Sequence, residues 1–274
     1  MDGHGPIGMF DSGVGGLTVL GRIAAQLPDE PIFYIADQAH VPYGGRPLSE
    51  IRELATNLSN TLFDHGCKAL VMACNISSAT TLESVASAYP KHPVLGMIDP
   101  GAAAAAVATD HGRIGVLATA GTVASRAYPD TFARMDSTLH VAQVACPQFV
   151  PLVERGATDG AEAEAACRLY LAPLLAERVD TIVLGCTHYP YLLPMLKRCA
   201  PGVTFIDPAV YVTRQLATQL SRRGTRATGP RGPHRLFTTG DVSRFSEQLS
   251  TMLPDVDYVA AHLELSMAPR AAAC

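Results

Sequence analysis

The sequence predicts an α/β fold of two similar lobes, each a mostly parallel sheet flanked by helices, with the active site in the cleft between them. Three observations carry this expectation. Short apolar runs alternate with longer segments of helical character; one glycine-bearing pattern and one strand ending in cysteine each occur twice; and 274 residues, 48% apolar and 17% charged, suffice for two moderate cores.

The runs PIGMF (6–10), PIFYIA (31–36), ALVMAC (69–74), HPVLGMI (92–98), RIGVLAT (113–119), TLHVAQVAC (138–146), DTIVLGC (180–186) and VTFID (203–207) are apolar almost throughout. They read as strands buried on both faces, the pattern of parallel sheets covered by helices. SEIRELATNLSNTLFDHG (49–66) reads as a helix capped by Ser49, with Arg52 and Glu53 in its first turn and a stop at Gly66. PGAAAAAVATDHG (100–112) and GAEAEAACRLYLAPLLAERV (160–179) are further helices, the second with an Ala and Leu face suited to packing on a sheet.

IGMFDSGVGGLTVL echoes IGVLATAGTVAS, and the strand ending in Cys74 echoes the one ending in Cys186. Cys74 follows Ile7 by 67 positions and Cys186 follows Ile114 by 72, as a duplicated α/β unit with small insertions would give. HPVLGMIDPG (92–101) is expected to cross from the first lobe to the second, and FIDPAVYV to cross back. The expected division is 1–97 plus 210–274 for one lobe and 98–209 for the other. SRRGTRATGPRGPHR (221–235) reads as an exposed loop, or as a small basic docking site for an acidic partner. The tail APRAAAC is expected to fray.

A formal net charge of −4 gives no bulk attraction to nucleic acid or to an anionic membrane, so neither is an expected partner and a small molecule is. MDGHGPIGMF lacks the basic region and apolar run of a targeting segment, and no later stretch is long enough to span a bilayer; a cytoplasmic chain is expected. Seven cysteines without paired spacing argue against a disulfide framework.

In an open parallel sheet, ligands sit beyond the carboxyl ends of the strands, where ALVMAC and TIVLGC each deliver a cysteine just before an expected helix. A helix N-terminus lowers a thiol pKa, which suits such a cysteine to act as a base. Two thiols in mirrored positions suit a reaction that needs proton carriers on opposite faces of one carbon, that is, racemisation or epimerisation. Donors near Ser12, Asn75 and Thr187 would stabilise the charge spreading from the α-carbon onto a carboxylate. Pyridoxal phosphate needs a lysine anchor; the only lysines, Lys68, Lys91 and Lys197, lie in no Gly-rich phosphate loop, so a cofactor-free route is favoured. DSGVGGLTVL has Gly13 and Gly15 at dinucleotide-loop spacing but Thr18 at the third position, leaving a nucleotide or a carboxylate as what its N–H groups would cradle.

DSGVGGLTVL, DQAHVPYGGRP, ACNISSA, PQFVPLVERG and GCTHYP occur in the order found in the cofactor-independent glutamate racemases of the aspartate/glutamate racemase superfamily, and the resemblance spans nearly the whole chain. It implies a two-lobed fold that interconverts L- and D-glutamate for peptidoglycan synthesis, without metal or organic cofactor, in a chain that is often homodimeric. Carried over residue by residue, it implies proton transfer by Cys74 and Cys186, with Asp11 and His188 activating or orienting them. It implies substrate binding by Ser12, Tyr43, Gly44, Asn75 and Thr187, and an acidic residue, Glu154, on the His188 side. Ile76 stands where the family has threonine, with Ser77 after it. The lost hydroxyl is offset by a backbone N–H or by Ser77, or else substrate choice shifts toward aspartate or other acidic amino acids. ADQAH departs from the family's Gly-Asp-Thr but keeps Asp37.

Plainer readings stand beside these. Cys67, Cys146, Cys167 and Cys199 read as small buried hydrophobes, and Cys274 as a tail thiol. Cys186 with His188 resembles half of a zinc site. His188 and Asp11 also suit helix capping, and Tyr43-Gly44 a simple turn. A non-catalytic amino-acid-binding regulator on the same fold is the alternative outside enzymology.

Overall fold

In this computed structural model, which describes residues 5–229 and 232–265, ten strands form two sheets in which every pairing is parallel. The chain runs β1 (Ile7–Asp11), α1 (Leu17–Gln26), β2 (Ile32–Ala36), α2 (Leu48–Asp64), β3 (Ala69–Met72), α3 (Asn75–Ala88), β4 (Val94–Gly96) and α4 (Ile98–Ala108). It continues through β5 (Arg113–Ala118), α5 (Ala120–Ala124), α6 (Ala127–Met135), β6 (His140–Ala145), α7 (Phe149–Glu154), α8 (Ala161–Ala176), β7 (Thr181–Gly185), α9 (Leu193–Cys199) and β8 (Thr204–Ile206). α10 (Pro208–Arg222), β9 (His234–Thr238), α11 (Val242–Met252) and β10 (Tyr258–His262) complete it.

The first sheet has the order β10-β9-β2-β1-β3-β4 and the second β6-β5-β7-β8. The four-strand order 2-1-3-4 therefore occurs in both, with β1 equivalent to β5 and β3 to β7, as the echo between their sequences predicts. Helices cover both faces of each sheet. On the first, Leu17, Ile23, Val212, Leu216 and Phe245 pack one face, and Leu58, Leu62 and Val85 the other. On the second, Leu171, Leu174 and Leu196 pack one face, and Ile98, Ala102, Tyr128 and Phe132 the other. Each fully buried Leu, Ile or Phe contributes about 1.5–3 kcal/mol through the surface it removes from water. No helix among the described residues is long and apolar enough to cross a membrane.

Several expectations need correction. α2 begins at Leu48 with Pro47 at its cap position, so Ser49 is not the cap, and Glu50 is the acidic residue of its first turn. Its end is as expected: Gly66 has φ +77°, its N–H bonds to Phe63 O, and Cys67 N–H bonds back to Leu62 O. β6 is not buried on both faces, because as the outer strand of its sheet it is half-covered and His140 is exposed. α10 runs through Arg222 and β9 starts at His234, so both ends of the expected loop 221–235 are regular structure. Residues 230–231 within that loop, and the tail 268–274 with Cys274, lie outside the described residues. The early part of the loop is tied down: Lys68 Nζ lies 2.6 Å from Glu30 and donates to Thr225 O at 2.7 Å, while Glu30 accepts from Ala227 N–H.

Candidate active site

In each sheet the strand order reverses between the first and third strands of the repeat, and the crevice that opens there lies at their carboxyl ends. β1 and β3 deliver Asp11-Ser12 and Cys74-Asn75; β5 and β7 deliver Thr119 and Cys186-Thr187-His188. These residues meet at one cavity of about 370 Å³, lined from the first sheet by Ser12, Tyr43, Gly44, Cys74, Asn75 and Ile76 and from the second by Glu154, Cys186, Thr187 and His188. Asp11 lies just beneath, 1% exposed.

Asp11 is not a helix cap: Gly16 holds that position in α1. Its Oδ1 accepts from Gly13 N–H at 2.9 Å, and its Oδ2 accepts from Thr187 Oγ1 at 3.1 Å, a bond between the two lobes. Burial raises its pKa, opposed by the nearby His188 and by these hydrogen bonds. The glycines after it serve close packing. A Cβ on Gly15 would stand 2.4 Å from both His188 Nδ1 and Thr187 Oγ1, and one on Gly16 would stand 2.6 Å from Asp11 Cβ. With the Gly13 N–H taken by Asp11 and the Thr18 hydroxyl donating to Gly15 O and Thr187 O, this segment joins the lobes, where the sequence suggested a nucleotide or carboxylate cradle.

Cys74 occupies the cap position of α3, 6% exposed, and its thiol donates to Ser12 Oγ over 3.8 Å. The expectation of a depressed thiol pKa is wrong for this residue. Burial, and then the charge of Asp11, push it from 9.0 up to about 11, with Ser77 and Ser12 easing it only partly. The helix N-terminus is outweighed because the thiol has almost no water around it. Ser77 is fully buried on the thiol's side, whereas Ile76 lines the cavity and packs with Tyr43, Ile51 and Leu54. The cavity wall at this position is thus apolar.

Asn75 is 4% exposed; its Oδ1 accepts from Tyr128 OH at 2.9 Å, and its Nδ2 is buried with no partner among the described residues. Tyr43, in a single 3-10 turn, gives its hydroxyl to Asp37 Oδ2 at 2.5 Å, leaving its ring and the adjoining Gly44 to face the cavity. Asp37 is therefore the anchor of this wall, with Thr239 also donating to it at 2.7 Å.

On the other side, Cys186 is 9% exposed and His188 is 5% exposed. Sγ of Cys186 lies 3.8 Å from Nδ1 of His188, whose Nε2 lies 3.0 Å from Oε1 of Glu154. Burial works to depress the His188 pKa, yet the hydrogen bonds to Cys186 and Glu154 and the charges of Cys186 and Asp11 lift it from 6.5 to about 10. The hydrogen bond to His188 in turn holds Glu154 below its ordinary value. Cys186 leads into a 3-10 turn, Tyr189–Leu192, and not into the helix expected from sequence. Among the described residues no three His, Cys, Asp or Glu side chains are grouped as a metal would require.

Cys67 and Cys167 are buried in the cores, but Cys199 is only partly covered. Cys146 is 1% exposed and packs with Phe149, as its reading as a hydrophobe predicts, yet it also lines the cavity. Thr119, Thr122, Val150 and Pro151 line the cavity too and went unread. The one signal for Thr119 and Cys146 was position, since each follows a strand as Cys74 and Cys186 do.

The family described as Asp/Glu/hydantoin racemase matches residues 12–216. A glutamate racemase of Symbiobacterium thermophilum is 43% identical over 267 residues, covering 96% of this chain and 96% of its own. Among solved structures, glutamate racemase isoform RacE1 from Bacillus anthracis has a TM-score of 0.91 at 39% identity, over 96% of this chain and 98% of its own. Glutamate racemase from Francisella tularensis in complex with D-glutamate has a TM-score of 0.90 at 28% identity, with the same coverage.

Proposed function

The chain belongs to the Asp/Glu/hydantoin racemase family, and from that premise we propose that it is a glutamate racemase working by two-base proton transfer between Cys74 and Cys186. The observation that carries this reading is that two thiols, delivered by equivalent strands of two sheets, line one small cavity. A thiolate takes the α-hydrogen as a proton, and the electron pair of the C–H bond spreads onto the α-carboxylate. The thiol on the other side then donates its proton to the opposite face of the carbon. No bond other than C–H breaks, and the configuration inverts.

The two thiols are supported differently. On the Cys186 side, His188 stays protonated at neutral pH, so its Nδ1–H stabilises the thiolate left when Cys186 donates its proton, while Glu154 holds the ring. On the Cys74 side, burial favours the neutral thiol until an ammonium group enters the cavity and offsets the charge of Asp11. General acid–base catalysis supplies about 10²–10⁴ in rate. The remainder falls to fixed donors aimed where charge develops, each supplying about 10²–10³. With the activity we carry over the family's role in supplying D-glutamate for peptidoglycan, its cytoplasmic location and its homodimeric assembly.

The test is incubation of the pure protein with L-glutamate in deuterated water without pyridoxal phosphate, and in parallel with L-aspartate. D-glutamate deuterated at the α-carbon is the expected product. Absence of exchange with either enantiomer of glutamate would remove the reading, and faster exchange on aspartate would reassign the substrate.

A further inference from the structure

We propose that Tyr128 is the positioning residue that fixes the Asn75 amide as a donor to the substrate carboxylate and holds the loops of both thiols in register. Tyr128 comes from α6 on the second lobe and is fully buried, whereas Asn75 opens α3 on the first and directly follows Cys74. Its hydroxyl donates to Asn75 Oδ1 at 2.9 Å. Burial, with the charges of Asp207 and Cys186, raises its pKa far above the neutral range, so the group is a constant donor. A constant donor selects the oxygen of a neighbouring amide and turns the nitrogen away from itself.

That nitrogen, Asn75 Nδ2, is the unpartnered group, in a residue 4% exposed that lines the cavity. A buried N–H without a partner is costly, so such a donor is kept where a ligand completes it. The other edge of the Tyr128 ring lies against the strand that delivers the second thiol: a Cβ on Gly185 would stand 3.2 Å from Tyr128 Cε2. On the far side, a Cβ on Gly101 would stand 3.4 Å from the hydroxyl. One rigid ring thus sits between the residue after Cys74 and the residue before Cys186.

This inference rests on the racemase reading, and wild-type exchange of the glutamate α-hydrogen tests that reading by itself. The inference is tested by a double-mutant cycle of Tyr128→Phe, Asn75→Ala and the pair, with kcat and KM for glutamate measured in each and folding followed by thermal unfolding. Tyr128→Phe should lower kcat/KM about five- to thirtyfold, chiefly through KM, as loss of one orienting hydrogen bond to a binding group would. In the Asn75→Ala background the same change should have almost no further effect. Additive losses, or an unchanged KM in Tyr128→Phe, would overturn the assignment. Asn75→Ala by itself gives an answer even if the phenylalanine variant folds poorly. It removes the N–H without burying a charge, so KM should rise at least as much as in Tyr128→Phe, and a wild-type KM in Asn75→Ala would equally refute the assignment.

Discussion

Gly15 of the first lobe and His188 of the second approach so closely that a methyl group on Gly15 would stand 2.4 Å from the imidazole Nδ1. The glycine is therefore a requirement of the acid–base pair, imposed from across the cleft. Gly15→Ala should push His188 off Cys186 and spread the lobes, lowering kcat/KM more than tenfold at a stability cost of about 1–3 kcal/mol. Steady-state kinetics with urea unfolding checks both parts; an alanine variant of full activity would show that the lobes give way freely.

Cys74→Ala and Cys186→Ala should each lower racemisation by about 10³-fold or more, since each removes one of the two proton carriers. Polarimetry follows inversion while NMR in deuterated water follows exchange. Normal inversion in either variant contradicts the two-base scheme.

The elevated His188 pKa has a consequence for stability. Between the ordinary value of 6.5 and the folded value of about 10, the folded protein keeps a proton that the unfolded chain has released. The contribution is fully present below about pH 6.5 and is lost as pH rises through about 10. Urea midpoints measured from pH 6 to 10 should fall across this window, and Glu154→Gln, which removes a group that raises the histidine, should narrow it from the alkaline side.

Glu30 and Lys68 form a pair 2.6 Å apart with side chains only 1% and 6% exposed. Lys68→Met leaves the carboxylate buried without its cation and should cost about 3–5 kcal/mol in urea unfolding. The double replacement Lys68→Met with Glu30→Leu should recover most of that loss. Activity per folded molecule should not change, because neither residue lines the cavity.

Ile76→Thr should increase kcat/KM for glutamate several-fold by returning a hydroxyl to the cavity wall. It also removes apolar contact with Tyr43, Ile51 and Leu54, at about 1–2 kcal/mol of stability. The ratio of glutamate to aspartate turnover in the two proteins measures what the isoleucine does to substrate choice.

The apolar runs that became β1, β3, β5 and β7 were legible because strands buried on both faces need apolar residues at every position. Their chemistry was legible because Asp11 ends β1, and Cys74, Cys186 and His188 come within three positions of the ends of β3 and β7. β9 and β10 were missed. His234–Thr238 alternates buried and exposed residues and emerges from an arginine-rich segment, and Tyr258–His262 is a short edge strand with no fully buried residue. Tyr128 was missed for another reason: its contact with Asn75 is made across the cleft, and no local motif encodes it. The direction of the Cys74 shift was misread because sequence shows the helix start but not how completely water is removed from the sulfur.

The pairing of β2 with β9 joins segments about 200 positions apart, Ile32 N–H reaching His234 Nδ1 across a separation of 202. During synthesis β2 therefore waits as an open edge while nearly everything downstream is translated, including the whole contiguous sheet from β5 to β8. That later sheet can mature first on the ribosome, and the N-terminal half of the molecule is finished only when its last two strands arrive. A nascent chain stalled short of His234 would present to its neighbours the bare β2 edge that β9 covers in the folded chain.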